Sequence, residues 1–229
     1  MDGFLLVDKP AGISSFGVVA RVRRVLSEQA GHKVKVGHTG TLDPAATGLM
    51  ILVIGKYCKR AAEFSKLDKT YEVELTLGAT STTGDVEGKL TQKSTRQPDL
   101  EEVETALSKF VGQISQTPPA YSAIKVNGQR AYKLARAGKE VKLEPRPVTI
   151  HSIENIEYKY PKLTFTTSVS SGTYIRSLAE DIGTELGTSA YMSALKRTKV
   201  DSYDLEEALT LDKISYSDII NHLEQTPVK

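Results

Sequence analysis

Leu49-Met50-Ile51-Leu52-Val53-Ile54 is a run of six apolar residues without a charge, and no other stretch constrains the fold as much. Such residues must leave water together, and a short uncharged run of this kind reads as a buried strand. Directly before it lies the loop Gly37-His38-Thr39-Gly40-Thr41-Leu42-Asp43-Pro44-Ala45-Ala46-Thr47-Gly48. It packs three glycines, three threonines, a histidine and a carboxylate into twelve residues. Glycines permit positive φ or close backbone approach to another group. Pro44 disfavours helical ψ at Asp43 and pushes it toward extended geometry. The combination predicts a carboxylate at a fixed point in a loop braced by a core strand. On local pattern alone, Asp43-Pro44 also reads as a helix start, with Asp43 as N-cap and Pro44 at the first helical position.

A chain of 229 residues, 39% hydrophobic and 25% charged, suits a folded protein of one large or two small domains. No apolar run approaches the ~20 residues of a membrane span, and Met1-Asp2 opens without the pattern of a secretory signal. The single cysteine, Cys58, excludes an intramolecular disulfide and a cysteine-based zinc site. A cytoplasmic protein is the expectation, with Cys58 packed in a helix. Net charge is only +2, but it is unevenly spread. Residues 1–66 and 117–147 each carry a net +5, while 67–116 and 148–229 each carry −4. Two basic blocks against two acidic ones suit attraction of a polyanion, or simply solvated faces.

Along the chain, Phe4–Val7 reads as a short strand closed by the turn Lys9-Pro10-Ala11-Gly12. Ser14 or Ser15 can cap a helix whose face is Val18, Val19, Val22, Val25 and Leu26. Residues 57–67 read as a helix. Residues 69–77 alternate, with Tyr71, Val73, Leu75 and Leu77 on one face, as in a half-buried strand. On that pattern Tyr71 is a packed aromatic. Residues 80–88 read as a polar loop in which Asp85 makes a turn. Asp99 and Glu102 form a capping box ahead of a scaffold helix. Asn127-Gly128 marks a tight hairpin turn, and a helix over 130–137 should end at Gly138. Strands return from Val148, and Ser170-Ser171-Gly172-Thr173 leads into a helix faced by Ile175, Leu178, Ala179, Ile182 and Leu186. Arg176 falls in its first turn, where a cation opposes the helix dipole by about 0.3–1 kcal/mol. A phosphate or a buried carboxylate should compensate it. Beyond Val200 the pattern gives a helix near 204–209 and a weakly patterned tail.

The loop string closely resembles the catalytic motif of the TruB-type tRNA pseudouridine synthases. Four further stretches resemble that family: the opening Gly3–Ser15, Lys69-Thr70-Tyr71, Pro118-Pro119-Ala120-Tyr121-Ser122-Ala123 and Gly172-Thr173-Tyr174-Ile175-Arg176. So do Asp85 after Thr82-Thr83-Gly84, and Ala194-Leu195-Lys196-Arg197-Thr198. The resemblance covers roughly the first two hundred residues. By it, Asp43 is the catalytic aspartate, paired by Arg176, and Tyr71 stacks on the target base and takes part in proton removal from C5. His38 helps open the T loop, Lys9 is a structural or RNA contact, and Asp85 organises the site. Tyr174 lies beside the substrate, and Leu195 packs on the floor of the site.

The resemblance implies an α/β (α+β) pseudouridine synthase fold, a large mixed and mainly antiparallel sheet flanked by helices and loops. It implies isomerisation of uridine to pseudouridine at position 55 of tRNA, with the T arm as partner. No metal, cofactor, membrane or obligate protein partner is expected, and the protein should be a monomer. The expected division is a catalytic domain over 1–200 and a short C-terminal extension over 201–229. The separate C-terminal RNA-binding domain of most bacterial relatives is expected to be absent. An RNA-guided synthase subunit and a non-catalytic tRNA-binding folding factor are the alternatives.

Overall fold

The structure, a computed structural model, describes residues 1–126, 128–212 and 214–225. Asn127 of the expected Asn127-Gly128 turn lies outside the described residues. In chain order the elements are β1 (Gly3–Lys9), α1 (Ser15–Ala30), β2 (Val36–His38), β3 (Thr47–Ile54), α2 (Ala61–Ser65), β4 (Lys69–Leu77), β5 (Ala79–Ser81) and β6 (Leu90–Gln92). Next come α3 (Leu100–Ser108), β7 (Gly112–Gln116), β8 (Lys125–Val126), β9 (Gln129–Arg130), α4 (Ala131–Arg136), β10 (Arg146–Lys159) and β11 (Lys162–Val169). The chain closes with α5 (Ile175–Glu185), β12 (Ala190–Val200), β13 (Tyr203–Asp204), β14 (Leu209–Thr210) and α6 (Tyr216–Gln225). Among the described residues no helix is long and apolar enough to cross a membrane.

Contacts divide the chain into two units, one of Met1–Tyr71 with the described part of Leu195–Lys229, the other of Glu72–Ala194. The chain leaves the first unit within β4 and re-enters it within β12. The described residues from Leu195 onward are thus grouped with the first seventy-one.

In the first unit the strand order is β14-β1-β3-β12. β1 runs antiparallel to β3, from Gly3 opposite Ile54 to Lys9 opposite Gly48. β3 and β12 are parallel, with Lys196 opposite Thr47 and Arg197 opposite Gly48. The uncharged run forms β3 and is buried along its length, from Leu49 to Ile54. One side of these strands packs Phe4, Leu6, Leu49, Ile51 and Val53 against Phe64, Val200 and Tyr203. The ring of Phe4 lies 5.2 Å from that of Phe64 and meets Tyr203 edge-on at 5.5 Å. Each such buried side chain contributes roughly 1.5–3 kcal/mol. Ser14 caps α1 by accepting from the Gly17 N–H. The expected helix over 57–67 is instead a 3-10 turn, Gly55–Arg60, followed by the short α2. The one expected near 204–209 is a 3-10 turn, Leu205–Glu207, between two short strands. Helix α6, not foreseen in the tail, packs against β1 and α1 and buries Ile219 completely.

In the second unit the order is β4-β11-β10-β7, and β10 is antiparallel to both β11 and β7. The alternation of 69–77 appears as expected, with Tyr71, Val73, Leu75 and Leu77 buried. Asp99 and Glu102 close the full capping box of α3. Helix α4 is followed by Gly138 at φ +70°, the left-handed turn expected there.

Candidate active site

The loop around Asp43 belongs to the first unit, where buried donors hold it from below. Lys9 has no exposed surface, and its Nζ donates to the carbonyls of Pro10 at 2.9 Å and Pro44 at 3.1 Å. The Gly12 N–H also donates to the Pro44 carbonyl, at 2.9 Å. The Lys9 ammonium therefore faces the protein interior and props the Asp43-Pro44 turn. Ser15 donates its hydroxyl to Leu42 O and accepts the Leu42 N–H, both at 2.8 Å. Either serine was a candidate cap; the structure uses Ser14 for the helix and Ser15 for the loop.

Asp43 itself is half-buried, and its carbonyl accepts the Ala46 N–H at 3.1 Å. That bond closes a β-turn, so Asp43 does not cap a helix. β3, paired with β1 and β12, begins at Thr47, and the three residues left after Asp43 are too few for a helix. Gly48 adopts φ +100°, and a Cβ on it would lie 2.3 Å from the carbonyl oxygen of Arg197. Only glycine fits at this approach of two backbones.

His38 ends β2 and is half-buried, and its Nδ1 is buried without a hydrogen-bond partner among the described residues. Burial, then the positive charge of Arg197, holds its imidazole below the usual histidine range. Thr39 anchors the neighbouring backbone, its N–H reaching Ile51 O at 3.1 Å. Arg197 is almost wholly buried; its Nε donates to Leu49 O at 2.7 Å and a terminal nitrogen to Gly40 O at 3.3 Å. Leu195, two residues earlier on β12, is half-buried. Tyr71 is 8% exposed on β4. Two residues before it, Lys69 caps the end of α2 by donating to Ser65 O at 2.8 Å and to Leu67 O. Burial, then the charge of Arg197, lowers the Lys69 pKa to about 8.

The second unit brings Arg176, Asp85 and Tyr174 into one network with the segment 116–122. Arg176 Nε lies 3.7 Å from Asp85 Oδ2, and both side chains are buried. The two terminal nitrogens donate to Thr83 O at 3.0 Å and Tyr121 O at 2.8 Å. Asp85 also accepts from the Thr83 hydroxyl at 2.5 Å and the Glu87 N–H at 3.0 Å. The anion expected opposite a cation in the first turn of α5 is thus supplied in part by a buried carboxylate. The backbone of Tyr174 is gripped twice by the buried Gln116 amide, at 2.8 and 3.1 Å. Its ring lies under the Arg146 guanidinium, 5.2 Å away. Among the described residues no three His, Cys, Asp or Glu side chains are grouped to hold a metal ion.

Sequence reasoning offered Ser15 only as a helix cap and gave no individual role to Gln116 or Arg197. Local pattern does not show what they hold, because their partners lie 27, 58 and 148 positions away along the chain.

The chain is similar to known proteins in both sequence and fold. The family profile described as "TruB family pseudouridylate synthase (N terminal domain)" matches residues 23–175, and that described as "tRNA pseudouridylate synthase B C-terminal domain" matches 176–225. The second match overturns the expectation that the C-terminal domain is absent. The matched stretch begins with α5 and β12, elements woven into the units described above, so no break in composition sets it apart. A tRNA pseudouridine synthase B of Burkholderia lata is 44% identical over 218 residues, 95% of this chain and 66% of that protein. One of Cupriavidus metallidurans is 45% identical over 214 residues, 93% of this chain and 67% of that protein. The chain therefore spans about two thirds of the length of these relatives. Among solved structures, a Cbf5-Nop10-Gar1 complex matches with a TM-score of 0.70 at 28% identity, covering 91% of this chain and 52% of that one. An H/ACA RNP bound to a substrate RNA containing 2'-deoxyuridine matches at 0.67 and 26%, covering 91% and 51%.

Proposed function

The chain belongs to the TruB family of pseudouridylate synthases, and from that premise we propose that it converts the uridine at position 55, in the T loop of tRNA, to pseudouridine. Homology to the tRNA pseudouridine synthase B proteins supports tRNA pseudouridylation as its activity. The observation that carries the reading to the residues is the bracing of Asp43. Lys9, Ser15 and Arg197, all buried, fix the loop backbone, while Asp43 is half-buried.

The reaction is an isomerisation. The bond from N1 to C1′ breaks, the base rotates, C5 bonds to C1′, and the proton that C5 loses is balanced by one gained at N1. The target base must first leave its stack, which costs a few kcal/mol. His38 serves that opening, and burial beside the charge of Arg197 favours the uncharged form of its half-buried ring. Asp43 is the essential carboxylate. Tyr71 stacks on the extruded base, and its hydroxyl takes part in removing the C5 proton. The net-positive segments 1–66 and 117–147 supply phosphate contacts. Asp85, Tyr174 and Leu195 shape the surroundings of the substrate, Arg176 supports the carboxylate chemistry, and the enzyme works in the cytoplasm as a monomer without an obligate protein partner.

Purified protein incubated with unmodified tRNA alone tests this. Pseudouridine at position 55, on whole tRNA and on an isolated T-arm stem-loop, is the expected product. Its absence without an added guide RNA would favour an RNA-guided synthase subunit instead. The higher identity to the tRNA enzymes, 45% against 28%, favours the unguided reading.

A further inference from the structure

Arg197 is among the largest fully buried side chains described, and its two acceptors are both neutral backbone carbonyls. No carboxylate among the described residues pairs with it. Burying an unpaired charge is costly, and an apolar residue would fill a strand interior more cheaply. What a guanidinium supplies instead is several donors diverging from one rigid plane. Here they reach Leu49 O and Gly40 O, which bracket Thr41–Gly48, the segment that carries Asp43. The contact continues on both sides. Gly40 sits so close that a Cβ on it would lie 3.4 Å from a guanidinium nitrogen, and Gly48 seats against the Arg197 backbone. The charge also reaches His38, helping burial to keep that ring neutral.

We propose that Arg197 is a positioning residue for pseudouridylation: its guanidinium ties Gly40 and Leu49 to β12 and thereby fixes where Asp43 stands against the target uridine. This rests on the reading of Asp43 as the reacting carboxylate. Arg197 acts through the loop and does not touch the substrate. Lysine keeps the charge but has one terminal nitrogen, which cannot occupy both the Nε and the outer positions.

The test compares Arg197→Lys and Arg197→Gln with the parent and with Asp43→Asn. It measures melting temperature, tRNA Kd, kcat and KM, and amide exchange over residues 39–49. For both Arg197 variants kcat should fall about 30-fold or more while KM and Kd stay within about threefold. Exchange should quicken over 39–49 and stay unchanged in the rest of β1 and β3. An unaltered kcat would overturn the proposal, as would a loss matched by equal rises in KM and Kd. So would failure of both variants to fold, which would make Arg197 a core residue only. The control separates the two readings: an active Asp43→Asn protein sinks the assignment of Asp43. An inactive one beside fully active Arg197 variants sinks the positioning role alone.

Discussion

Arg176 and Asp85 meet inside the second unit with 3.7 Å between Nε and Oδ2, their side chains 7% and 3% exposed. Each is also tied elsewhere, Arg176 to the carbonyls of Thr83 and Tyr121, Asp85 to the Thr83 hydroxyl and the Glu87 N–H. The arginine thus joins two segments that are far apart in sequence, 83–85 and the one at Tyr121, to the start of α5. Such a pair is weak evidence of stability as a pair, but removing half of it strands a buried charge.

Arg176→Lys keeps the charge and loses the fork. A lysine cannot serve Thr83 O, Tyr121 O and Asp85 from three nitrogens, so buried acceptors go unsatisfied, at about 1–3 kcal/mol in total. Urea unfolding should show that loss, and pseudouridine formation should drop at least about tenfold. A variant with parental rate and stability would refute the fork as the reason for arginine.

Asp43→Asn is nearly isosteric and leaves the turn bond from Ala46 N–H to the residue-43 carbonyl in place. Melting temperature and tRNA affinity should stay close to the parent, with stability changed by less than about 1 kcal/mol. Isomerisation should vanish. Activity retained alongside a large loss of stability would make the carboxylate structural.

Gly48→Ala probes the seat of the loop. The residue has φ +100°, and the added methyl would meet backbone atoms of Arg197 at 2.3 and 2.8 Å. Backbone cannot swing aside as a side chain can, and strain of this kind costs about 1–3 kcal/mol or more. The variant should melt lower and lose activity beyond what the stability change explains. An alanine protein that melts with the parent would contradict the close approach of β3 and β12.

Lys69 gives a pH signature with a definite sign. Its pKa is lowered from 10.5 to about 8 in the folded protein, chiefly by burial. Between those values the unfolded chain binds more protons than the native one, so its contribution to stability rises with pH from about 8 to about 10.5 and is least below that window. Stability of the parent minus that of Lys69→Met should therefore climb across this window, by on the order of 3 kcal/mol. A flat difference would show that the lysine titrates normally.

Some of this was open to reading from sequence because its cause is local. Six uncharged apolar residues cannot lie in water, so β3 is a core strand wherever the rest of the chain goes. The alternation of 69–77 sends Tyr71 inward, Asp99 and Glu102 satisfy each other's backbone within one turn, and Gly138 takes a left-handed φ that other residues resist. The motif around Asp43 likewise named its carboxylate from adjacent residues. Tertiary structure decided the rest. Asp43-Pro44 has the chemistry of a helix start, yet β3, held by β1 and β12, claims the chain from Thr47 onward and leaves room only for a turn. Lys9 and Arg197 look like surface cations in one dimension; their burial follows from carbonyls at Pro44, Leu49 and Gly40 that only folding brings near. Periodicity and capping depend on neighbours a few residues away, whereas satisfying a buried charge depends on partners chosen by the whole packing.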